Sequence, residues 1–283
     1  MTDRVVFILE KTMSKKPKRA KQKPGSSSQK ALVDQWLSQA SNQLFKEDYK
    51  GAVDTCQRLL SYLPKKALQR AEALYYLATA QSMLLNFPQA YEAYTEALSI
   101  TPEDAQLWYN CGLACRFTAR MGQSVRDFER AVELNNNPAL TRQFAKELKF
   151  SRDLAEKSRK MRGPNFTMDQ LIKQEELYQS ALDLMQAGKW EEASKIFQLV
   201  IEMGDCLPQP WGNLGTCLIM QERYDEAEAA LKRALEVDPR YALAKQNLAL
   251  LPETRRTGPP KMVGMLDPFK GTKLKQGITF VVE

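Results

Sequence analysis

The sequence predicts an all-α fold, a solenoid of short helix pairs stacked one on the next. Two observations predict it. First, a large residue followed three positions later by a small one recurs along the chain: Tyr49 before Ala52, Phe87 before Ala90, Trp190 before Ala193 and Tyr224 before Ala227, with Met121 before Ser124 as a weaker copy. The four alanines stand 38, 103 and 34 residues apart, and the long gap is close to three periods. Self-similarity at such a period marks a repeat architecture.

Second, each small residue carries the same frame. Sixteen positions before it stands Trp36, Leu74, Trp108, Leu177 or Trp211, and twelve before it Ala40, Ala78, Gly112, Ala181 or Gly215. Four positions after it comes Cys56, Tyr94, Phe128, Phe197 or Leu231, and seven after it Leu59, Ala97, Ala131, Val200 or Ala234. Apolar residues at these offsets form one stripe on each of two helices per unit. The small residues let the two helices approach closely. Pro64, Pro102 and Pro239, twelve positions after the small residue, end three of the five units, because proline cannot continue a helix. One such pair cannot bury both of its faces, so the pairs must stack.

This pattern resembles the tetratricopeptide-repeat (TPR) family, whose unit is a helix-turn-helix with this aromatic, small-residue and proline signature. The resemblance implies a right-handed solenoid of about five units: 33–66, 71–104, 105–138, 174–207 and 208–241. Departures are Gln39 and Gln43 at apolar positions of the first unit, Asn135-Asn136-Asn137-Pro138 at the end of the third, and Asp205 in place of proline in the fourth.

The chain divides accordingly. Residues 1–32 read as a disordered basic tail, 33–138 as three units, 139–173 as a helical connector, 174–241 as two units, 242–251 as a capping helix stopped by Pro252, and 252–283 as a flexible tail ending in the β-prone run Ile278–Val282. In the connector, 139–161 reads as one helix closed by Gly163-Pro164. Thr167 and Gln170 form a capping box, with Phe166 and Leu171 placed as a hydrophobic staple. The connector is either a degenerate repeat that keeps the stack continuous or a hinge between two modules. Met13 offers a second start codon, which would leave residues 1–12 as an artefact.

Composition narrows the function. There is no histidine, which excludes Ser-His-Asp and Cys-His catalysis and imidazole-ligated metals. We read the chain as neither an enzyme nor a cofactor or metal binder. Cys111 and Cys115 lie four apart in the buried phase of the third unit and read as core thiols. The odd count of five cysteines points to a reducing, cytoplasmic compartment. No run of 18 apolar residues predicts a membrane span.

The net charge of +7 resides wholly in residues 1–33. There Lys15, Lys16, Lys18, Arg19, Lys21 and Lys23 form a run that resembles a nuclear-import signal and equally suits a nucleic-acid arm or a solubilising tail. Residues 139–163 add eight basic residues against three acids.

The resemblance implies a protein or peptide partner bound in the concave groove lined by the first helix of each pair. Carried over position by position, the groove offers Tyr75, Tyr76, Thr79, Tyr109, Asn110, Arg116, Tyr178, Gln179 and Asn213. The terminal-carboxylate clamp of the chaperone-binding members is not matched: Leu37 and Ser41 replace its Lys and Asn, and Gln106 and Asn110 its basic pair. The sequence therefore predicts a non-catalytic interaction scaffold, with self-association open. The alternative is a nucleic-acid-associated adaptor that uses the basic tail and the 139–163 helix.

Overall fold

The computed structural model describes residues 27–259. Among them are twelve α-helices and no strand. The basic run from Lys15 to Lys23, Met13 and the Ile278–Val282 run lie outside the described residues. The described chain forms two compact units, one of residues 27–120 and 124–151, the other of 121–123 and 152–259.

In the first unit, three hairpins follow one another: α1 (Ser27–Phe45) with α2 (Tyr49–Tyr62), α3 (Leu68–Met83) with α4 (Phe87–Leu98), and α5 (Ala105–Phe117) with α6 (Met121–Leu134). The start of α7 (Pro138–Arg162) packs behind them. The second unit holds the end of α7, the hairpins α8 (Met168–Gln186) with α9 (Trp190–Met203) and α10 (Pro208–Met220) with α11 (Tyr224–Val237), and then α12 (Ala242–Thr257).

All five hairpin turns share one geometry. Their middle residues, Glu47, Leu85, Ala119, Gly188 and Glu222, have φ between 60° and 72°. The next amide donates back five residues, from Asp48 to Gln43 O, Asn86 to Gln81 O, Arg120 to Cys115 O, Lys189 to Leu184 O and Arg223 to Leu218 O, at 2.8–2.9 Å. This is the left-handed helix cap that satisfies orphan carbonyls. Only one of the five uses glycine, so the other four accept a left-handed strain of about 1–2 kcal/mol each, held by the packing on either side.

The small residues do what their spacing predicts. A Cβ on Gly112 would lie 2.9 Å from the Phe128 ring, and one on Gly215 would lie 2.7 Å from Leu231. Ser124, the weak copy of the alanine, is fully buried but satisfied: its hydroxyl donates to Gly112 O at 2.8 Å and meets Ser151 Oγ at 3.0 Å. Gln39 is exposed because no helix precedes α1 among the described residues. Gln43 is tied down, accepting from Thr55 Oγ1 at 2.8 Å.

Three boundaries differ from expectation. The helix α1 begins at Ser27, inside the segment read as tail, because Val33 is buried and nothing in residues 27–32 breaks a helix. The cap α12 runs through Pro252 to Thr257. Proline there forfeits one backbone bond, yet Leu251 is buried and Arg255 reaches Asp225 at 2.7 Å and Glu228 at 3.0 Å from the following turn. The connector helix occupies 138–162. The capping box forms as read: Gln170 N donates to Thr167 Oγ1 at 3.1 Å and Thr167 N to Gln170 Oε1 at 2.7 Å, with Phe166 and Leu171 buried.

Candidate partner-binding surface

Within each unit, successive first helices run in the same direction, since each hairpin reverses the chain and the short link to the next hairpin reverses it again. Residues of equal phase therefore line up from helix to helix, and the side chains named from the sequence fall into two groups.

Five are enclosed by the first unit itself. Tyr76 is buried and donates to Glu72 Oε1 at 2.9 Å. Thr79 is fully buried, donating to Tyr75 O at 2.8 Å and meeting the Tyr94 hydroxyl at 3.2 Å. Tyr109 stacks on Phe144 of α7 at 4.6 Å and accepts from Gln143 Nε2 at 2.9 Å. Burial pushes its phenol up to about 12. Arg116 is paired with Glu147 of α7 at 2.7 Å, its guanidinium lying 5.8 Å from Phe128 and 5.0 Å from Phe150. As they stand, these side chains hold helices together rather than face a partner.

Asn110 is the fifth. It is fully buried, and neither atom of its amide has a hydrogen-bond partner. It sits near enough to the Tyr75 hydroxyl to favour the ionised phenol slightly, without the geometry of a formed bond. An unsatisfied buried amide costs about 1–3 kcal/mol. A partner cannot reach it in this conformation.

The other four are open in part. Tyr75 is half-buried against Tyr76 and Tyr94, and desolvation raises its phenol, with Asp104 adding to the effect. In the second unit the structure brings Tyr178 and Asn213 together, Asn213 Nδ2 donating to the Tyr178 hydroxyl at 3.0 Å. Tyr178 is packed edge-on to Phe197 at 5.7 Å, and burial raises its phenol too. Gln179 is half-exposed and donates to Asp183 at 3.0 Å.

Two polar contacts escaped sequence reasoning. Asn247 Nδ2 donates to Thr216 Oγ1 at 3.0 Å, repeating one unit further on the link between Asn213 and Tyr178. Gln143 serves Tyr109 in the same way. Both donors stand 34 residues after a groove position, Asn213 and Tyr109, so extending the period into the connector and the cap finds them.

The thiols are core. Cys111 and Cys115 are buried, and desolvation raises both well above the ordinary range, with Asp127 adding to it. Burial pushes Cys56 and Cys217 up to about 12. Only Cys206 is half-exposed. We therefore expect a colorimetric disulfide reagent to titrate one thiol rapidly in the folded chain and all five in denaturant. Rapid reaction of two or more before unfolding would contradict the packing around the four buried thiols. Among the described residues no cluster of three or more Cys, Asp or Glu is placed to hold a metal ion, and no helix is long and apolar enough to cross a membrane.

Comparison with known proteins agrees with the geometry. Models of the tetratricopeptide repeat match residues 105–138 and 208–241, the same bounds as two units read from the sequence. No curated protein matches the chain significantly. Similar solved structures include YrrB, described as a TPR protein with an unusual peptide-binding site: 18% identity, 79% of this chain and 98% of that one, TM-score 0.34. The TPR2AB domain of yeast Sti1 in complex with pHSP90 gives 16% identity, 81% and 86% coverage and a TM-score of 0.36. The TPR domain of P58(IPK) gives 11%, 79%, 65% and 0.44. Five hairpins with one turn geometry, small residues at each helix crossing and two matched repeats lead to one conclusion: the chain is a tetratricopeptide-repeat protein.

Proposed function

We propose that the chain is a non-catalytic scaffold that binds a peptide or helix of a partner protein on the faces of its first helices. The observation that carries this reading is the exposure of large apolar side chains nine positions after Trp36 and Leu74, at the ends of successive first helices. Phe45 ends α1 at 86% exposure, and Met83, its counterpart on α3, is 40% exposed. Covering one such side chain is worth about 1.5–3 kcal/mol, and large exposed apolar residues in register mark an interaction face. The groove positions around them are mostly uncharged, which favours an apolar segment over an acidic tail. In the second unit the half-open Tyr178 and Asn213 supply polar contacts on the same phase.

A photo-crosslinking amino acid placed at Ser38 or Gln186, on first helices, and at Gln57 or Lys232, on second helices, tests this in native lysate. All four side chains are exposed. Adducts are expected from the first pair only, and those from Ser38 should disappear when Phe45→Ser is added. Equal labelling from the second helices would sink the groove reading.

A further inference from the structure

We propose that the face of α7 bearing Arg142, Lys146, Lys149 and Phe150 is a binding site for single-stranded nucleic acid, separate from the groove. All four side chains are exposed, Phe150 at 51%. Spacings of four and seven residues place Arg142, Lys146 and Lys149 on one side of the helix, and Phe150 lies one turn beyond Lys146 on its flank. Arg142 and Lys146 are about 6 Å apart along the axis, at 1.5 Å per residue, a step suited to successive phosphates of an extended strand.

Three further observations favour this ligand. The carboxylate on this part of the helix is already used: Glu147 turns inward to Arg116 at 2.7 Å, with its side chain 19% exposed. Within residues 142–150 the three basic residues outnumber this single carboxylate. The Arg116 guanidinium lies 5.0 Å from the centre of the Phe150 ring. A base stacking on the open side of that ring would complete a base–aromatic–cation sandwich, the arrangement by which single strands are held without sequence preference. Both undescribed segments, 1–26 and 260–283, are net basic, so a polyanion is a better charge match for this face than either end of the chain. They add long-range attraction for a polyanion. Asp153, exposed one turn further along α7, limits the track to two or three nucleotides.

The test is fluorescence anisotropy of a labelled 20-nucleotide oligothymidine with the full-length chain, between 50 and 200 mM salt. Phe150→Ala should weaken binding about five- to a hundredfold, the loss of one stacked base, and leave the salt slope unchanged. Lys146→Glu with Lys149→Glu should weaken it at least tenfold and reduce the magnitude of the log–log salt slope by about 0.7 for each phosphate no longer neutralised. Unchanged melting of each variant shows that the fold is intact, as expected at exposed positions. The proposal is overturned if the oligonucleotide does not bind. It is also overturned if binding survives the α7 variants and falls only when Lys15, Lys16 and Lys18 are changed to Gln. Equal binding of polyglutamate or of vesicles rich in anionic lipid, with equal sensitivity to Phe150→Ala, would overturn it as well.

Discussion

Phe128→Ala is expected to destabilise the first unit by about 3–5 kcal/mol, the cost of emptying a fully buried aromatic site. The ring is 0% exposed, meets Tyr109 edge-on at 5.4 Å and lies 5.8 Å from the Arg116 guanidinium. It also rests on the bare backbone of Gly112, where a Cβ would come within 2.9 Å of it. That close approach makes a second, sharper expectation. Gly112→Ala alone forces the ring aside and should cost about 1–3 kcal/mol as overpacking. Added to Phe128→Ala, the same methyl enters the vacated space and also removes a helix-interior glycine, worth roughly 0.5–1 kcal/mol. The double variant should therefore be no less stable than Phe128→Ala by itself. Urea unfolding followed by Trp36 and Trp108, with Trp190 and Trp211 changed to Phe, measures the cycle. Additive losses would show that the methyl at position 112 and the Phe128 ring do not compete for the same space, and the role assigned to the small residue would fail.

That coupling explains why so much of the fold could be read from the sequence. A repeat imposes its packing several times over, so Gly112 with Phe128 and Gly215 with Leu231 betray each other by phase alone. The hairpin turns were not legible, because Glu47, Leu85, Ala119 and Glu222 share no chemistry that announces a left-handed conformation. There the caps on either side decide the backbone. The candidate site was legible in position but not in exposure. Position along a first helix names Tyr109, Asn110 and Arg116, yet Phe144 and Gln143 of α7 cover Tyr109, Glu147 of α7 holds Arg116, and Asn110 is fully buried. The cover comes from the connector, where the repeat signature lapses. Tyr178 and Asn213 keep their half-open setting because the residue one period on is the small, polar Asn247, which turns to Thr216.

Glu175 gives the second large effect, and nothing in the sequence separates it from its neighbour Glu176. The structure does: Glu175 is buried, while Glu176 is exposed. Its carboxylate accepts from Gly122 N at 3.0 Å and Gln123 N at 3.2 Å, residues that cluster with the second unit. A Cβ on Gly122 would lie 2.6 Å from Ile172, so little room remains for water. Desolvation raises the group to about 7, against the opposing pull of the two amides and of Arg162, the charged side chain that faces it. The folded state therefore binds this proton more tightly than the unfolded chain, whose carboxyl titrates near 4.5. The contribution is fully present below about 4.5 and is lost as pH rises through about 7, to a total of about 3 kcal/mol at 1.36 kcal/mol per unit. The chain contains no histidine, so the usual titrating group of that window cannot mask the effect. Urea midpoints of the second unit, followed by Trp190 and Trp211 in a Trp36→Phe/Trp108→Phe background, should fall between pH 5 and 7.5. In Glu175→Gln, which cannot ionise, they should stay level, at the cost of about 1 kcal/mol at pH 5 for an amide nitrogen turned toward one backbone donor. Amide exchange at Gly122 and Gln123, corrected for its intrinsic pH dependence, should accelerate over the same range in the parent chain only. A midpoint that rises with pH, or an equal slope in both proteins, would mean that the two amides and Arg162 outweigh burial and hold Glu175 as a settled carboxylate.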